Sequence, residues 1–275
     1  MRLVHGRTSR ILVWIALIVA AFMTSFPLLY AISASLMSQA DFNAGAVLPT
    51  WPLDFSNYVD AFGKFPLLHY LLNTLIMSLI VMVALLITCS MAAFAFTFIR
   101  FRGRGLLFGV MLSTLMIPWE ATIIVNFQTV RDLNWLNTFQ GLTVPSLASA
   151  FGIFLLRQAF RTLPHELFEA SQIDGASRFR FFVSMVLPLS RPMLATLAVY
   201  TFINTWNKYL WPLLVTTDDR VRTVQIGLRS MQGEATTQWP MVMAATVMVM
   251  AATTIVLVLG QRQLKAGLAA GAVKG

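Results

Sequence analysis

Charge is what this chain has least of. Only 11% of its 275 residues are Asp, Glu, Lys or Arg, against about 25% in a soluble domain. Hydrophobic residues make up 57%, and mean hydropathy is +0.73. That balance excludes a soluble globular domain and predicts an all-α integral membrane protein, because a helix satisfies its own backbone inside lipid. Cysteine is reduced to Cys89, which lies in an apolar run, so no disulfide can form within the chain and a buried, inert thiol is expected. The three histidines, His5, His69 and His165, are far apart along the chain. They assemble neither a metal cluster nor a nucleophile–base pair, so no catalytic residue and no metal site is expected. A GxxxxGK[ST] phosphate loop is also missing from the sequence. Any ATP and Mg that drive this protein are therefore expected on another chain, and no cofactor on this one. The net charge of +9 does not point to nucleic acid, since the basic residues form no patch interleaved with aromatics.

What is present is a series of long uncharged runs. Residues 11–40 carry no charge and follow Arg2, Arg7 and Arg10. The run is too long for the apolar region of a signal peptide, so it reads as a first, uncleaved span over 11–36, kinked at Pro27. A polar loop over 41–66 contains Leu48-Pro49-Thr50-Trp51-Pro52 and Asn57-Tyr58, which suggests a folded segment outside the bilayer. The second span covers 67–99. It exceeds the ~20 residues needed to cross, and Arg100, Arg102 and Arg104 follow it at once. Spans three to six are expected over 106–125, 142–160, 192–209 and 241–261, the third interrupted at Ile117-Pro118-Trp119-Glu120. A small-residue tail then ends in AAGAVKG. Six spans place both termini on one side. Of the 20 Lys and Arg, fourteen fall on the side of the termini and of the 163–188 loop, and six on the other. The richer side is cytoplasmic by the positive-inside rule.

The 163–188 segment is polar at its start and lies between apolar spans. Pro164 suits a first helical turn, and Glu166 and Glu169 suit the positive end of the helix dipole. Leu167, Ala170 and Ile173 form an apolar stripe at helical spacing. Asp174-Gly175 ends the helix, with Gly175 free to take the left-handed conformation, and Ser177 can cap a second helix carrying Arg178 and Arg180. A helix, a tight turn and a second helix are the expected product.

Polar residues inside spans are the other signal. Glu120 is the lone acid between Asp60 and Asp132. It reads equally as a pathway residue within the bilayer or as an interfacial group where Pro118 ends the helix. The cluster Asn204-Thr205-Trp206-Asn207-Lys208-Tyr209-Leu210-Trp211-Pro212 divides in the same way. An interfacial belt with a snorkelling lysine explains Lys208 and Trp211. Amides in a span need partners, so Asn204 and Asn207, with Trp206 and Trp211 beside them, stand with Glu120 as solute-pathway candidates. Asn73-Thr74 is expected to bond to a neighbouring helix.

Glu169, Ala170, Gly175, Leu187 and Pro188 stand at the spacing of the EAA loop, with Ser171 where a second alanine is common and Met185 where isoleucine is common. Together with TWNKYLWPLL and the QRQLKAGLAAGAVKG end, this resembles the second permease subunit of carbohydrate-type, maltose-permease-like bacterial ABC importers. FLLRQAFRTLPHELFEASQIDGAS followed by WNKYLWPLL is most similar to the glycerol-3-phosphate branch. The resemblance implies a type I importer permease with six spans in the bacterial inner membrane. Its domain organisation would be an N-terminal tail, first span and outer loop over 1–66, the importer transmembrane domain over 67–262 with its coupling loop at 163–188, and a cytoplasmic tail over 263–275. It also implies a second, different permease, two ATPase subunits, an extracytoplasmic solute-binding protein and a small polar solute, either a sugar or a glycerol-3-phosphate or glycerophosphodiester. Glu169, Ala170, Ser171, Asp174, Gly175, Ala176, Leu187 and Pro188 would couple to the ATPase, and Gly271, Lys274 and Gly275 would contact it from the tail. A secondary transporter or channel-like subunit without ATP coupling is the alternative; it needs ion-coupling acids within spans, for which only Glu120 qualifies. A membrane-embedded enzyme lacks any catalytic constellation.

Overall fold

A computed structural model describes residues 7–233 and 237–272. Within them the regular structure is helical, with no strand. In chain order the helices are α1 (Arg7–Ser35), α2 (Gln39–Asn43), α3 (Ser56–Lys64), α4 (Leu67–Phe98), α5 (Arg104–Ser113), α6 (Trp119–Asp132), α7 (Phe139–Thr143), α8 (Ala150–Arg161), α9 (His165–Ile173), α10 (Arg178–Phe181), α11 (Leu187–Leu189), α12 (Arg191–Trp206), α13 (Leu210–Val215), α14 (Val224–Ser230) and α15 (Trp239–Ala272). Three straight segments are long and apolar enough to cross a membrane, Ile11–Ser35, Leu67–Phe98 and Trp239–Val256. Three bent pairs, each counted as one span, bring the candidate spans up to six, the number the apolar runs predict.

The bends are where the helices depart from the sequence reading. The third span is no single rod: Arg104–Met116 and Trp119–Asp132 meet at 98°. Pro118 has no N–H to continue the ladder and drives the preceding Ile117 into extended backbone, at φ −90° and ψ 113°. The fourth, Phe139–Ser146 and Ala150–Arg161, bends by 48°, and Ser149 restarts it by accepting the Gly152 N–H on its side chain. The fifth starts where the sequence places it, with Pro192 in the first turn of α12, and a 78° bend separates it from the preceding Arg178–Leu189. The last helix continues past residue 261 to Ala272, so Gly271 is helical rather than part of an irregular tail. Lys274 and Gly275 lie outside the described residues.

The chain divides into two compact units, Met1–Leu68 with Gly227–Thr253, and His69–Ile226 with Thr254–Gly275. In the first, residues 11–29 are exposed throughout, an apolar surface suited to lipid or to a neighbouring subunit. Past that rod the chain folds tightly. Asn57 Nδ2 donates to the carbonyls of Ser35, Met37 and Asp54 at 2.9–3.2 Å, and Tyr58 bonds Ser35 across 2.7 Å. The polar loop is thus tied to the end of α1.

The second unit is built along α4. Toward the C-terminal half of α4, Leu85, Cys89, Phe94 and Phe98 pack with Leu156, Phe160, Phe181, Phe182 and Leu197. Toward its start, Met77 joins Ile123, Val130, Leu142, Trp211 and Val215. Asn73, expected to reach another helix, instead holds the backbone of the 216–223 loop, whereas Thr74 does reach one, at the first residue of α14. Asn73 Nδ2 donates to Arg220 O and Arg222 O, and Thr74 Oγ1 accepts from Val224 N–H at 2.9 Å. Asn137 grips the same loop, its Oδ1 accepting from the N–H groups of Thr217 and Asp218. Within the loop, bonds from Arg220 hold the Asp218 carboxyl down to about 2.

Cys89 is buried, as its surroundings in the sequence predict, and it lies at a close approach of helices. A Cβ placed on Gly152 of α8 would stand 2.8 Å from Cys89 Sγ, 3.3 Å from Leu85 Cδ2 and 3.4 Å from Leu197 Cδ2. Glycine there lets α4, α8 and α12 pack closely, as small residues do between membrane helices. Gly152→Ala should therefore destabilise the solubilised protein by about 1–3 kcal/mol. Adding Cys89→Ala removes the blocking sulfur and should return a good part of that loss, measured as thermal midpoints across the double-mutant cycle; strict additivity would show that the two residues do not press on each other.

Candidate coupling hairpin and solute cavity

The helical hairpin after α8 is closed by backbone geometry. Gly175 has φ +72°, Ala176 N–H donates to Ser171 O at 2.9 Å, and Gly175 N–H donates to Gln172 O at 3.1 Å. This pair of bonds is the Schellman C-cap, which needs the left-handed residue that glycine supplies without cost. Asp174 is the last residue before the turn, its N–H bonded to Ala170 O. Ser177 then caps α10, its Oγ accepting from Arg180 N–H. Leu187 and Pro188 end the segment in α11, after one π-helical stretch over Phe182–Val186.

Aromatic rings seat the hairpin on the end of α4. The Phe168 ring lies 5.6 Å from that of Phe98 and 5.1 Å from that of Phe181, and Phe98 and Phe181 meet edge-on at 5.3 Å. Phe94 adds Phe182 at 5.0 Å. Such tilted and edge-on pairs add about 0.5–1.5 kcal/mol each beyond area burial. Ser171 is buried, its Oγ bonded to Phe168 O. The apolar stripe read from the sequence is divided by this packing. Leu167 packs into the core of its own chain, whereas Ala170 and Ile173 stay outside, Ile173 with 87% of its surface exposed. Glu166, Glu169 and Phe179 are exposed as well, so the outward face mixes carboxylates with apolar groups. Helical spacing alone does not distinguish the two sides of so short a helix; Phe168 and Ser171, one residue further on, decide which side turns inward.

A cavity of about 220 Å³ opens beside α4 between its two clusters, lined among others by Val81, Leu85, Trp119, Ser146, Asn204 and Lys208. The sequence-derived pathway residues are distributed unevenly about it. Asn204 lines it, with Nδ2 bonded to Tyr200 O one turn earlier. Asn207 is exposed and likewise bonds back, to Ile203 O, so both amides find partners in their own helix. Trp206 is buried and stacks on Phe202. Trp211 is buried with Nε1 donating to Gly141 O and its ring 5.9 Å from that of Trp119. Glu120 is exposed in the first turn of α6, outside the cavity lining. Lys208, read from the sequence as a snorkelling interfacial cation, lines the cavity, and so do Trp119, Ser146 and Ser149, none of them a pathway candidate in the sequence. Lys208 does not snorkel. Its ammonium lies 2.6 Å from Ser146 Oγ and 5.6 Å from the centre of the Trp119 ring. The interruption at Pro118 was the available signal for Trp119; Ser146 carried none. Among the described residues no group of His, Cys, Asp and Glu could hold a metal ion.

Apolar helices making up to six candidate spans, with a polar hairpin among them, are the features of a multi-pass membrane protein. Residues 84–267 match the family of binding-protein-dependent transport system inner membrane components, and the chain belongs to that family, the permeases of ABC importers. It is 39% identical over 268 residues to the sn-glycerol-3-phosphate transport system permease protein UgpE of Pectobacterium atrosepticum, covering 92% of this chain and 94% of that protein. Over 200 residues it is 44% identical to the protein of the same name from Salmonella typhi, covering 72% of this chain and 71% of that one. A chain of a bacterial ABC transporter involved in import of the acidic polysaccharide alginate superposes with a TM-score of 0.84 at 25% identity, over 94% of this chain and 99% of that one. The type I importer permease fold is thereby established.

A Cβ on Gly175 would meet nothing within 4 Å in this chain, so substitution there strains only the backbone. Gly175→Val should cost at least the roughly 1–2 kcal/mol of a left-handed L-residue, whereas Gly175→Asn should fold close to wild type. If the turn faces a partner, the asparagine variant should still lose transport despite its intact fold. Full transport by Gly175→Asn alongside impaired transport by Gly175→Val would reduce the role of this glycine to the shape of the turn.

Proposed function

We propose that the chain forms half of the translocation pathway of an importer for sn-glycerol-3-phosphate or a related organophosphate, and that its hairpin passes the motion of an ATPase to that pathway. The observation that carries the coupling role is the hairpin itself, capped at Gly175 and clamped by Phe168 against Phe98 and Phe181 while Glu169, Ala170 and Ile173 remain exposed. A firmly held polar helix with one free face suits docking into a partner's groove. In this reading Glu169, Ala170, Asp174, Gly175 and Ala176 form or shape the contact, Ser171 anchors it from within, and Leu187 and Pro188 join it to α12. The solute class is inferred from the names of relatives sharing 39–44% identity.

ATP and Mg then bind two copies of a separate ATPase subunit, a second and different permease completes the pathway, and an extracytoplasmic binding protein delivers the solute. Both termini and the hairpin face the cytoplasm, and Gly271, Lys274 and Gly275 reach the ATPase from the C-terminal end. The 1–66, 67–262 and 263–275 segments serve as entry span and outer loop, transport domain and cytoplasmic tail.

Two measurements test the reading. Val59 and Ile173 are both well exposed, at 72% and 87%. In a Cys89→Ala background a membrane-impermeant thiol reagent should label Val59→Cys in intact cells, and Ile173→Cys only after permeabilisation; the reverse pattern would invert the topology. The purified complex should contain an ATPase chain and take up labelled sn-glycerol-3-phosphate with stimulated ATP hydrolysis. Phe168→Ala, which loosens the clamp, should lower uptake at least several-fold while the subunits remain assembled. Unchanged uptake and hydrolysis in that variant would remove the coupling role from the hairpin.

A further inference from the structure

The cavity beside α4 contains one charged side chain, and it is a cation. Lys208 lies two residues beyond the end of α12, where a long lysine stem normally lets the ammonium turn outward to water. Here it turns inward, to Ser146 Oγ at 2.6 Å, under the face of Trp119. No carboxylate pairs with it among the described residues. Two neutral groups, a hydroxyl and an indole face, offset little of the cost of removing an ammonium from bulk water. An ionisable group held at such a cost beside the spans of a transport protein marks a solute or ion path more often than a packing site.

The remaining polar groups have the matching sense. Ser146 Oγ accepts from Lys208 and Ser149 Oγ accepts from Gly152 N–H, so each hydroxyl keeps its own O–H to donate. Asn204 and Tyr200 also line the wall. A cavity with one positive charge, free hydroxyl donors and no acid is complementary to an anion, and an aqueous cation would be repelled from it. Its 220 Å³ falls below the roughly 300–1,000 Å³ of pockets for drug-sized ligands, a size fit for a small solute.

We infer that Lys208, with Ser146 and Ser149, receives the phosphate group of the solute during passage and so selects anionic organophosphates over neutral sugars within the membrane. This rests on the organophosphate reading above and adds to it a place of recognition separate from the binding protein. The ammonium offers two further N–H donors to phosphate oxygens once Ser146 has taken one.

The test uses the whole reconstituted transporter with its binding protein and labelled sn-glycerol-3-phosphate, comparing wild type, Lys208→Met and Lys208→Arg. Uptake per ATP hydrolysed is expected to fall tenfold or more in Lys208→Met and to remain within about threefold of wild type in Lys208→Arg. Hydrolysis stimulated by the loaded binding protein is measured in each variant, so that uptake is read per ATP. Wild-type uptake per ATP in Lys208→Met overturns the inference and leaves the organophosphate reading standing. Equal losses in the arginine and methionine variants also overturn it, because they point to side-chain shape and not charge. Absence of sn-glycerol-3-phosphate uptake by the wild type, with uptake of a neutral sugar in its place, overturns the reading and the inference together. Should Lys208→Met fail to assemble, Lys208→Gln takes its place, and failure of both would make Lys208 a packing residue.

Discussion

Everything the hairpin can do depends on the contact of three phenyl rings, Phe98 at the end of α4, Phe168 on α9 and Phe181 on α10. A helix of nine residues has almost no stability of its own in water. Its capping bonds close the turn but do not fix the direction in which the hairpin points. Phe168 fixes that direction by inserting among side chains that already belong to the core of the membrane unit. The hairpin is therefore packed onto α4, α8 and α12, and a displacement of it presses directly on them. Close-packed interiors transmit displacement with little compression, and Gly152 against Cys89 shows how little free space separates α8 from α4.

Local chemistry was legible in the sequence, and distant contact was not. Gly175 at positive φ, the stop at Asp174 and the cap at Ser177 all follow from neighbouring residues, and the structure has each of them. The six apolar runs were legible for the same reason, since hydropathy is a property of consecutive residues. The bends at Ile117 and Ser190 were half visible: Pro118 and Pro192 mark the positions, but a proline states that a helix is interrupted without stating by what angle. Of the cavity, only Asn204 was picked out as a pathway residue. Lys208 and Ser146 are 62 positions apart and meet only because α8 and α12 pack side by side. By sequence alone the lysine was one more interfacial cation, and the neighbouring asparagines drew attention because amides are rare in spans. Both turned out to satisfy carbonyls of their own helix, which any exposed asparagine in a helix can do.

The stripe Leu167, Ala170 and Ile173 teaches a related point. Three apolar residues at helical spacing read as one face, yet Leu167 is spent on the chain's own core and Ile173 is free. On a helix of two and a half turns the inward face is set by the largest ring available, and that ring is Phe168. The surface left for a partner is consequently mixed, with Glu166 and Glu169 beside Ala170 and Ile173. Mixed surfaces of this kind suit contacts that form and reform, since their specificity comes from charge placement and their burial is small.

The two apolar clusters along α4 give the unit a mechanical asymmetry. The cluster near the hairpin is rich in phenylalanine and continuous with α8, α10 and α12. The other gathers around Trp211 and joins α6, α7 and α13, and its loop is pinned by Asn73, Thr74 and Asn137. Each is closely packed, and the cavity lies between them, lined by Val81, Leu85, Trp119 and Leu197. α12 carries Leu197 of one cluster and extends to Asn204 at the cavity, while α6 starts at Trp119 after the 98° break. Rigid bodies joined by bent helices rearrange at their junctions and not within their cores. On the proposed coupling role, a displacement delivered to the hairpin would turn α12 about the 78° bend at Ser190. Asn204 and Lys208 stand at the far end of that helix, roughly 24 Å away at 1.5 Å per residue. A small rotation at the bend becomes a larger movement at the cavity wall, and the wall that moves is the one bearing the charge.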